Sequence, residues 1–174
     1  MKINERKLLN DLRRHLDSEP FWSRALAPDA QSSRNYHLAI FREPYLDFIL
    51  SGKKTIETRF AKRPCPPYNR VANGDVLVLK ESGGPILGIC TVSRVWFYRV
   101  TAASLADIRF KFGKAVCPAN DSFWDERQGT SCATLMLLQN VTRLKDIHID
   151  KRDRRGWVLL NHLRSAQSTL ELFK

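Results

Sequence analysis

From residue 36 onward the sequence is a succession of short apolar runs divided by turn signals, with no regular helical crossover between the central runs. Parallel α/β sheets need such crossovers to bring each strand back in the same direction. The pattern therefore predicts an α+β domain, a small mixed, mostly antiparallel β-barrel flanked by helices. Strands are read at residues 36–41, 55–60, 76–80, 86–98 and 133–144. Asn73-Gly74-Asp75 and Ser82-Gly83-Gly84-Pro85 carry the residues that favour turns on either side of the third. Pro44 suits the first turn of a short helix, and Gly52 sits where a helix C-cap glycine belongs. Residues 101–112 predict a helix with Thr101 as its N-cap. Residues 122–128 read as an aromatic and acidic turn, 150–155 as a charged loop, and 156–160 as either a short strand or the start of a last helix.

Residues 1–34 read as a helical extension ahead of the main domain at 35–174. Leu8, Leu9, Leu12 and Leu16 recur at helical spacing over residues 4–17, with charges between them. Ser18-Glu19-Pro20 stops that helix and starts a second carrying Phe21, Trp22 and Leu26, and a polar seam follows at 28–34. The leucine stripe and Trp22 need cover. The expected cover is the body of the domain, and a partner protein is the alternative.

A formal net charge of +11 over 174 residues favours anionic partners, namely nucleic acid, nucleotides or an acidic membrane surface. Charge alone does not separate these from a soluble basic protein. No stretch approaches the roughly 20 apolar residues that span a bilayer, and no apolar signal core follows Met1. The expectation is a cytoplasmic chain without membrane contact. The four cysteines, Cys65, Cys90, Cys117 and Cys132, form no C-x-x-C pair and are read as reduced. His15, His37, His148 and His162 fall at no metal-ligand spacing, so no metal or other cofactor is expected. Phosphate loops of the nucleotide-binding types and a G-x-S-x-G nucleophile turn are absent.

The informative stretch runs from Phe41-Arg42-Glu43-Pro44-Tyr45 to Gly52-Lys53-Lys54-Thr55-Ile56-Glu57-Thr58-Arg59. A short helix ends at a glycine, two lysines follow at the negative end of its dipole, and a strand begins. On that strand Ile56, Thr58 and Phe60 share one face and Thr55, Glu57 and Arg59 the other. Residues two apart lie roughly 7 Å apart, so Glu57 and Arg59 can reach one pocket. Lys53 shares their parity if the strand starts early, whereas Lys54 joins only through the turn. Glu57 can accept hydrogen bonds from a base or amide edge, while Arg59 and a lysine can hold a phosphate. A plain ion pair on a solvated strand face fits the same residues.

Gly52-Lys53-Lys54-Thr55-Ile56-Glu57-Thr58-Arg59 resembles the G-x-K-x-x-E-x-R signature of ASCH domains, members of the PUA-like superfamily. Phe41-Arg42-Glu43-Pro44-Tyr45 resembles a common opening of the same family, and Gly74-Asp75-Val76-Leu77, Phe123-Trp124 and the late apolar strand agree with it. The resemblance spans residues 36–160 and omits the N-terminal arm. It implies a PUA-like barrel associated with RNA, with a cleft between barrel and helix. By direct matching that cleft takes Lys53 or Lys54, Glu57 and Arg59, with Arg42 and Tyr45 at its edge.

Whether such a pocket is catalytic stays open. Some ASCH-like proteins are amidohydrolases of acetylated cytidine that use Lys, Thr and Glu. Lys54 matches that lysine, but Glu57 stands where the threonine belongs, and a carboxylate cannot replace a hydroxyl nucleophile. Others are ribonucleases, for which Tyr45, Lys53, Lys54 and Ser131 are conceivable participants. In the catalytic alternative, a hydrolase acting on RNA or a modified nucleoside, Lys54 and Glu57 are the residues expected to act. Two basic clusters lie beyond the motif: Lys62, Arg63 and Arg70 in a Pro-rich loop with Tyr68 as a stacking surface, and Lys151, Arg152, Arg154 and Arg155. Trp124 can cap the pocket by stacking on a base or belong to the core, and its acidic neighbours Asp125 and Glu126 favour a base over a phosphate.

Overall fold

The computed structural model describes residues 3–27, 34–149 and 155–160. Six strands form one sheet: β1 (Tyr36–Phe41), β2 (Ile56–Ala61), β3 (Val76–Glu81), β4 (Ile86–Arg99), β5 (Cys132–Ile147) and β6 (Trp157–Leu159). Their order is β2-β5-β4-β3-β1-β6, with β1 and β3 parallel and every other pair antiparallel. The described residues also hold four α-helices: α1 (Glu5–Leu16) and α2 (Pro20–Ala25) ahead of β1, α3 (Tyr45–Leu50) between β1 and β2, and α4 (Ala102–Val116) between β4 and β5. This is the mixed, mostly antiparallel α+β architecture that the sequence predicts, curled into a half-barrel.

The curl has a local cause. β4 and β5 are the two longest strands, and their register shifts at three places along their shared ladder. Each extra residue bends its strand and increases the right-handed twist. The sheet therefore rolls up, and its two edge strands approach each other on the concave face. That face carries Phe41, Leu77, Leu79, Cys90, Val92, Met136 and Trp157, with Leu46 and Ile49 of α3 packed over them. Gly88 lets α3 settle there, since a Cβ at this position would stand 2.5 Å from Leu50 Cδ2.

The outer face is covered in two parts. α4 lies over Ile56, Ala133 and Leu135 and contributes Leu105, Ile108 and Val116. Thr101 caps it, with the Ser104 N–H donating to Thr101 Oγ1 and the Thr101 N–H to Ser104 Oγ. The helix continues four residues past the expected end, to Val116, before Cys117 closes it in a left-handed conformation at φ 50°. The helix runs through Gly113 without a break.

The N-terminal helices cover the rest. Leu8, Leu9, Leu12 and Leu16 join Leu38, Val76, Val78, Ile86, Ile89, Leu144 and Val158 in one buried cluster. Trp22 Nε1 donates to Thr142 Oγ1 at 2.8 Å, and the Tyr36 hydroxyl donates to the Ala25 carbonyl at 3.1 Å. α1 and α2 thus supply one wall of the core. The seam expected at 28–34 lies outside the described residues except Arg34, and the charged loop expected at 150–155 lies outside them except Arg155.

One buried polar chain fixes the sheet edge. Trp157 Nε1 donates to His37 Nδ1 at 3.1 Å, which leaves the His37 proton on Nε2, 3.0 Å from Asp75 Oδ2. Burial alone would raise the Asp75 pKa, but hydrogen bonds from His37 and from the Asn35 and Ala72 N–H groups outweigh it and hold the carboxyl below its ordinary value. The chain ties β6 to β1 and to the turn before β3. His37, read from sequence as surface or core packing, is wholly buried.

Leu12 is fully buried between arm and sheet. Leu12→Ala is expected to lower the unfolding free energy by about 2–5 kcal/mol, the usual cost of a core leucine deletion, as read from a shifted urea midpoint with unchanged slope.

Candidate functional site

The site starts from the turn after α3. Gly52 reverses the chain at φ +78°, a geometry that favours glycine because it has no Cβ. Its N–H donates to the Ile49 carbonyl at 3.0 Å, and the Lys54 N–H donates to the Phe48 carbonyl at 2.9 Å. This turn decides between the two lysines. Lys53 stays exposed, its ammonium 5.6 Å from the Phe48 ring centroid. Lys54 is carried inward and retains 2% of its exposure.

Thr55 then anchors the start of the strand. Its N–H donates to the Ala115 carbonyl, and its own carbonyl accepts from the Leu138 N–H. From there the period of two sorts the side chains. Ile56 and Phe60 join the cluster under α4, while Glu57 and Arg59 point to the concave face. Glu57 retains 4% exposure. Its negative charge reaches Cys90 in the interior, whose thiol pKa is driven far up, first by burial and then by Glu57.

Glu57 sits between two cations. Lys54 Nζ lies 3.5 Å from Oε2 and Arg59 Nε lies 2.7 Å from Oε1. Lys54 also donates to the Val116 carbonyl at 2.8 Å and lies 5.5 Å from the Tyr45 ring centroid. Burial pushes the Lys54 pKa below its ordinary value, and the attraction of Glu57 only partly offsets this. Arg59 does more than pair. Its Nη2 donates to the Ile40 carbonyl at 3.0 Å and its Nη1 reaches the Gly156 carbonyl at 3.4 Å. Its guanidinium stacks 4.8 Å from Phe41 and 5.3 Å from Trp157. Arg59 therefore spans from the β2 edge to the opposite edge of the sheet, where β1 and β6 lie.

Above this floor lies an open cleft of about 970 Å³. Arg42, Tyr45, Lys54, Glu57 and Arg59 from the motif segment line it, together with Lys80, Phe123, Glu126, Arg127, Thr130, His148 and Arg155. Tyr45 and Phe123 form an aromatic wall, with ring centroids 6.1 Å apart. Arg127 lies 3.7 Å over Phe123, donates to the Phe123 carbonyl and pairs with Glu126 at 2.9 Å. Lys80 donates to the Glu81 and Gly84 carbonyls.

The other expected site residues go elsewhere. Lys53 does not line the cleft. Arg63 and Arg70 are exposed on the Pro-rich loop and line none of the described cavities. Tyr68 packs edge-on against Phe97 and borders a separate hollow of about 130 Å³. Trp124 is 6% exposed, packs edge-on against Phe60 and Phe123, and lines a second cavity of about 570 Å³ instead of the cleft. Sequence reasoning passed over Lys80, Arg127, Thr130 and His148 as site residues. Lys80 had a legible signal, a lysine directly after four apolar residues on a buried strand. Arg127, Thr130 and His148 carry none, because only the fold brings them to the cleft. Among the described residues no group of three or more His, Cys, Asp or Glu side chains could hold a metal ion, and no helix is long and apolar enough to cross a membrane.

Residues 40–148 match the ASCH domain family. The fold is similar to the crystal structure of ASCH from Zymomonas mobilis, with a TM-score of 0.60 and 16% identity over 79% of this chain and 94% of that one. A serine-to-alanine mutant of that protein aligns at TM-score 0.60 and 16% identity over 81% of this chain and 98% of its own. A tyrosine-to-phenylalanine mutant aligns at 0.59 and 16% over 80% and 99%. At this identity the likeness is one of fold. No curated protein sequence matches the chain.

Glu57→Ala strips the counter-charge from two cations and is expected to destabilise the protein by about 3–5 kcal/mol, the cost of breaking a buried pair. Lys54→Met leaves Arg59 against Glu57 and is expected to cost less. The Lys54 pKa is lower folded than unfolded, so between those values the unfolded chain binds more protons and stability rises with pH. Urea midpoints measured across the alkaline range are expected to show that rise in the wild type and to lose Lys54's share of it in Lys54→Met.

Proposed function

The chain belongs to the ASCH domain family, and on that premise we propose that its cleft binds RNA or a nucleotide. The observation that carries the reading is the division of labour between floor and wall. At the floor one carboxylate is held between two cations, both of which also donate to backbone carbonyls. Higher up, arginines and an aromatic pair face an open volume of about 970 Å³, near the upper end of ordinary ligand pockets at roughly 300–1,000 Å³.

Each part suits a piece of a nucleotide. Lys54 and Arg59 spend donors on Glu57 and the backbone, so phosphates fall to Arg42 and Arg127 on the cleft walls, with Arg155 beside them. Arg suits that task through its fork of donors. Glu57 has lone pairs beyond its two ion contacts, since a carboxylate offers about four acceptor sites. Those remaining sites can accept from the amino or imide edge of a base. Tyr45 and Phe123 offer ring surface beside that edge. The net charge of +11 adds a long-range attraction for polyanions. A base read by Glu57 and a phosphate held by arginines uses both the buried acid and the basic wall.

A hydrolase on the same pocket is the second reading, a ribonuclease or an amidohydrolase of modified nucleosides. The observation in its favour is Lys54, whose burial lowers its pKa and brings it nearer to the range in which a lysine can accept a proton. Tyr45, with its ring 5.5 Å from that ammonium, is the adjoining hydroxyl.

Binding to a tRNA-sized RNA is expected to weaken steeply as salt rises, with a log–log slope of about −0.7 for each single-stranded phosphate neutralised. The double variant Arg42→Ala, Arg127→Ala, with its fold checked by circular dichroism, is expected to flatten that slope. Affinity that stays constant from low to moderate salt would remove the binding reading. For the second reading, wild type incubated with a panel of RNAs and modified nucleosides is expected to give product, and Lys54→Ala, checked for folding, is expected to give none. A panel left intact after long incubation rejects catalysis.

A further inference from the structure

Beside the cleft lies a second cavity, of about 570 Å³, between the first half of α4 and the segment that contributes Trp124, Asp125, Gln128, Gly129 and Thr130. Thr130 lines both cavities, so the segment from Phe123 to Thr130 is their common wall. Resting on the reading that the cleft holds a nucleotide, we propose that this second cavity receives the base of the adjoining nucleotide, which makes the ligand a strand of at least two residues.

The chemistry of the walls selects a base over a phosphate. A helix start attracts anions through its unpaired N–H groups, but at α4 the capping box occupies two of the four: Ser104 N–H donates to Thr101 Oγ1, and Thr101 N–H to Ser104 Oγ. Asp125, on the opposite wall, repels a phosphate and accepts from an amino group. Trp124 and Leu105 supply the apolar surface that a flat ring needs, and Arg109 and the Gln128 amide stand at its polar border. The sugar–phosphate link between two bases would pass over Thr130, next to Arg127 on the cleft side. The acidic, aromatic turn thus separates two base-sized spaces and leaves an arginine near the crossing.

The test compares the equilibrium affinity of a mononucleoside monophosphate with that of matched dinucleotides, in wild type and in two variants that fill the second cavity, Ala106→Trp and Ala102→Trp. Both alanines are exposed on α4 and line the cavity, and the helical circular dichroism of each variant checks its fold. The wild type is expected to favour the dinucleotide by roughly tenfold or more, the gain from one stacked base. At least one folded variant is expected to lose that preference with its mononucleotide affinity unchanged. Equal affinity for both ligands in the wild type overturns the second base site and leaves the cleft reading standing. A preference that survives in both folded variants also overturns it. Failure of the wild type to bind either ligand overturns both.

Discussion

Glu57 is a charged group that water barely reaches, and a buried carboxylate persists only where cations and hydrogen bonds replace its hydration. Here the replacement comes from two directions. Lys54 arrives through the turn behind α3, and Arg59 arrives along the same strand face. Each cation is in turn held by backbone carbonyls from a third place, Val116 at the end of α4 and Ile40 and Gly156 at the far edge of the sheet. One acid thereby links α3, α4, β2, β1 and the approach to β6. The cleft is open directly above this knot, so the groups that hold the domain together also form the floor of its candidate site.

Much of this was legible in the sequence because it depends on short-range geometry. Period-two alternation put Glu57 and Arg59 on one face, and the same face carries them in the structure. The glycine after a short helix indicated a reversed turn, and Gly52 has the positive φ expected of one. The leucine spacing of the first helix marked a face that needed cover. What stayed illegible depends on the roll of the sheet. Nothing near Arg59 in sequence foretells that its guanidinium rests on Trp157, nearly a hundred residues later. Lys54 and Lys53 differ only in where the turn leaves them, and parity alone favoured the wrong neighbour. Trp124 read first as core and second as pocket cap, because an aromatic beside acids fits both. In the structure it is core on one side and the wall of a different cavity on another.

Polar burial is distributed with similar economy at the opposite edge. Trp157, His37 and Asp75 form a chain in which every donor meets an acceptor, so three polar groups lie inside the domain at little cost. That chain fixes the indole against which Arg59 stacks. The floor of the cleft and the last described strand are therefore coupled through one aromatic ring. The arm adds its own share from outside, since α1 and α2 cover the convex face of the strands whose concave face carries α3.

The rolled sheet has a gap. β2 and β6 are its two ends and do not pair with one another. Among the described residues, the Arg59 side chain crosses from one end to the other, through two carbonyl contacts and two ring faces. A cylinder shut by a strand ladder can dilate only by tearing backbone hydrogen bonds in sequence. One latched by a long side chain can loosen by a rotamer change and re-form intact. The mouth of the domain can therefore widen by moving that latch while the ladders between the staves stay whole.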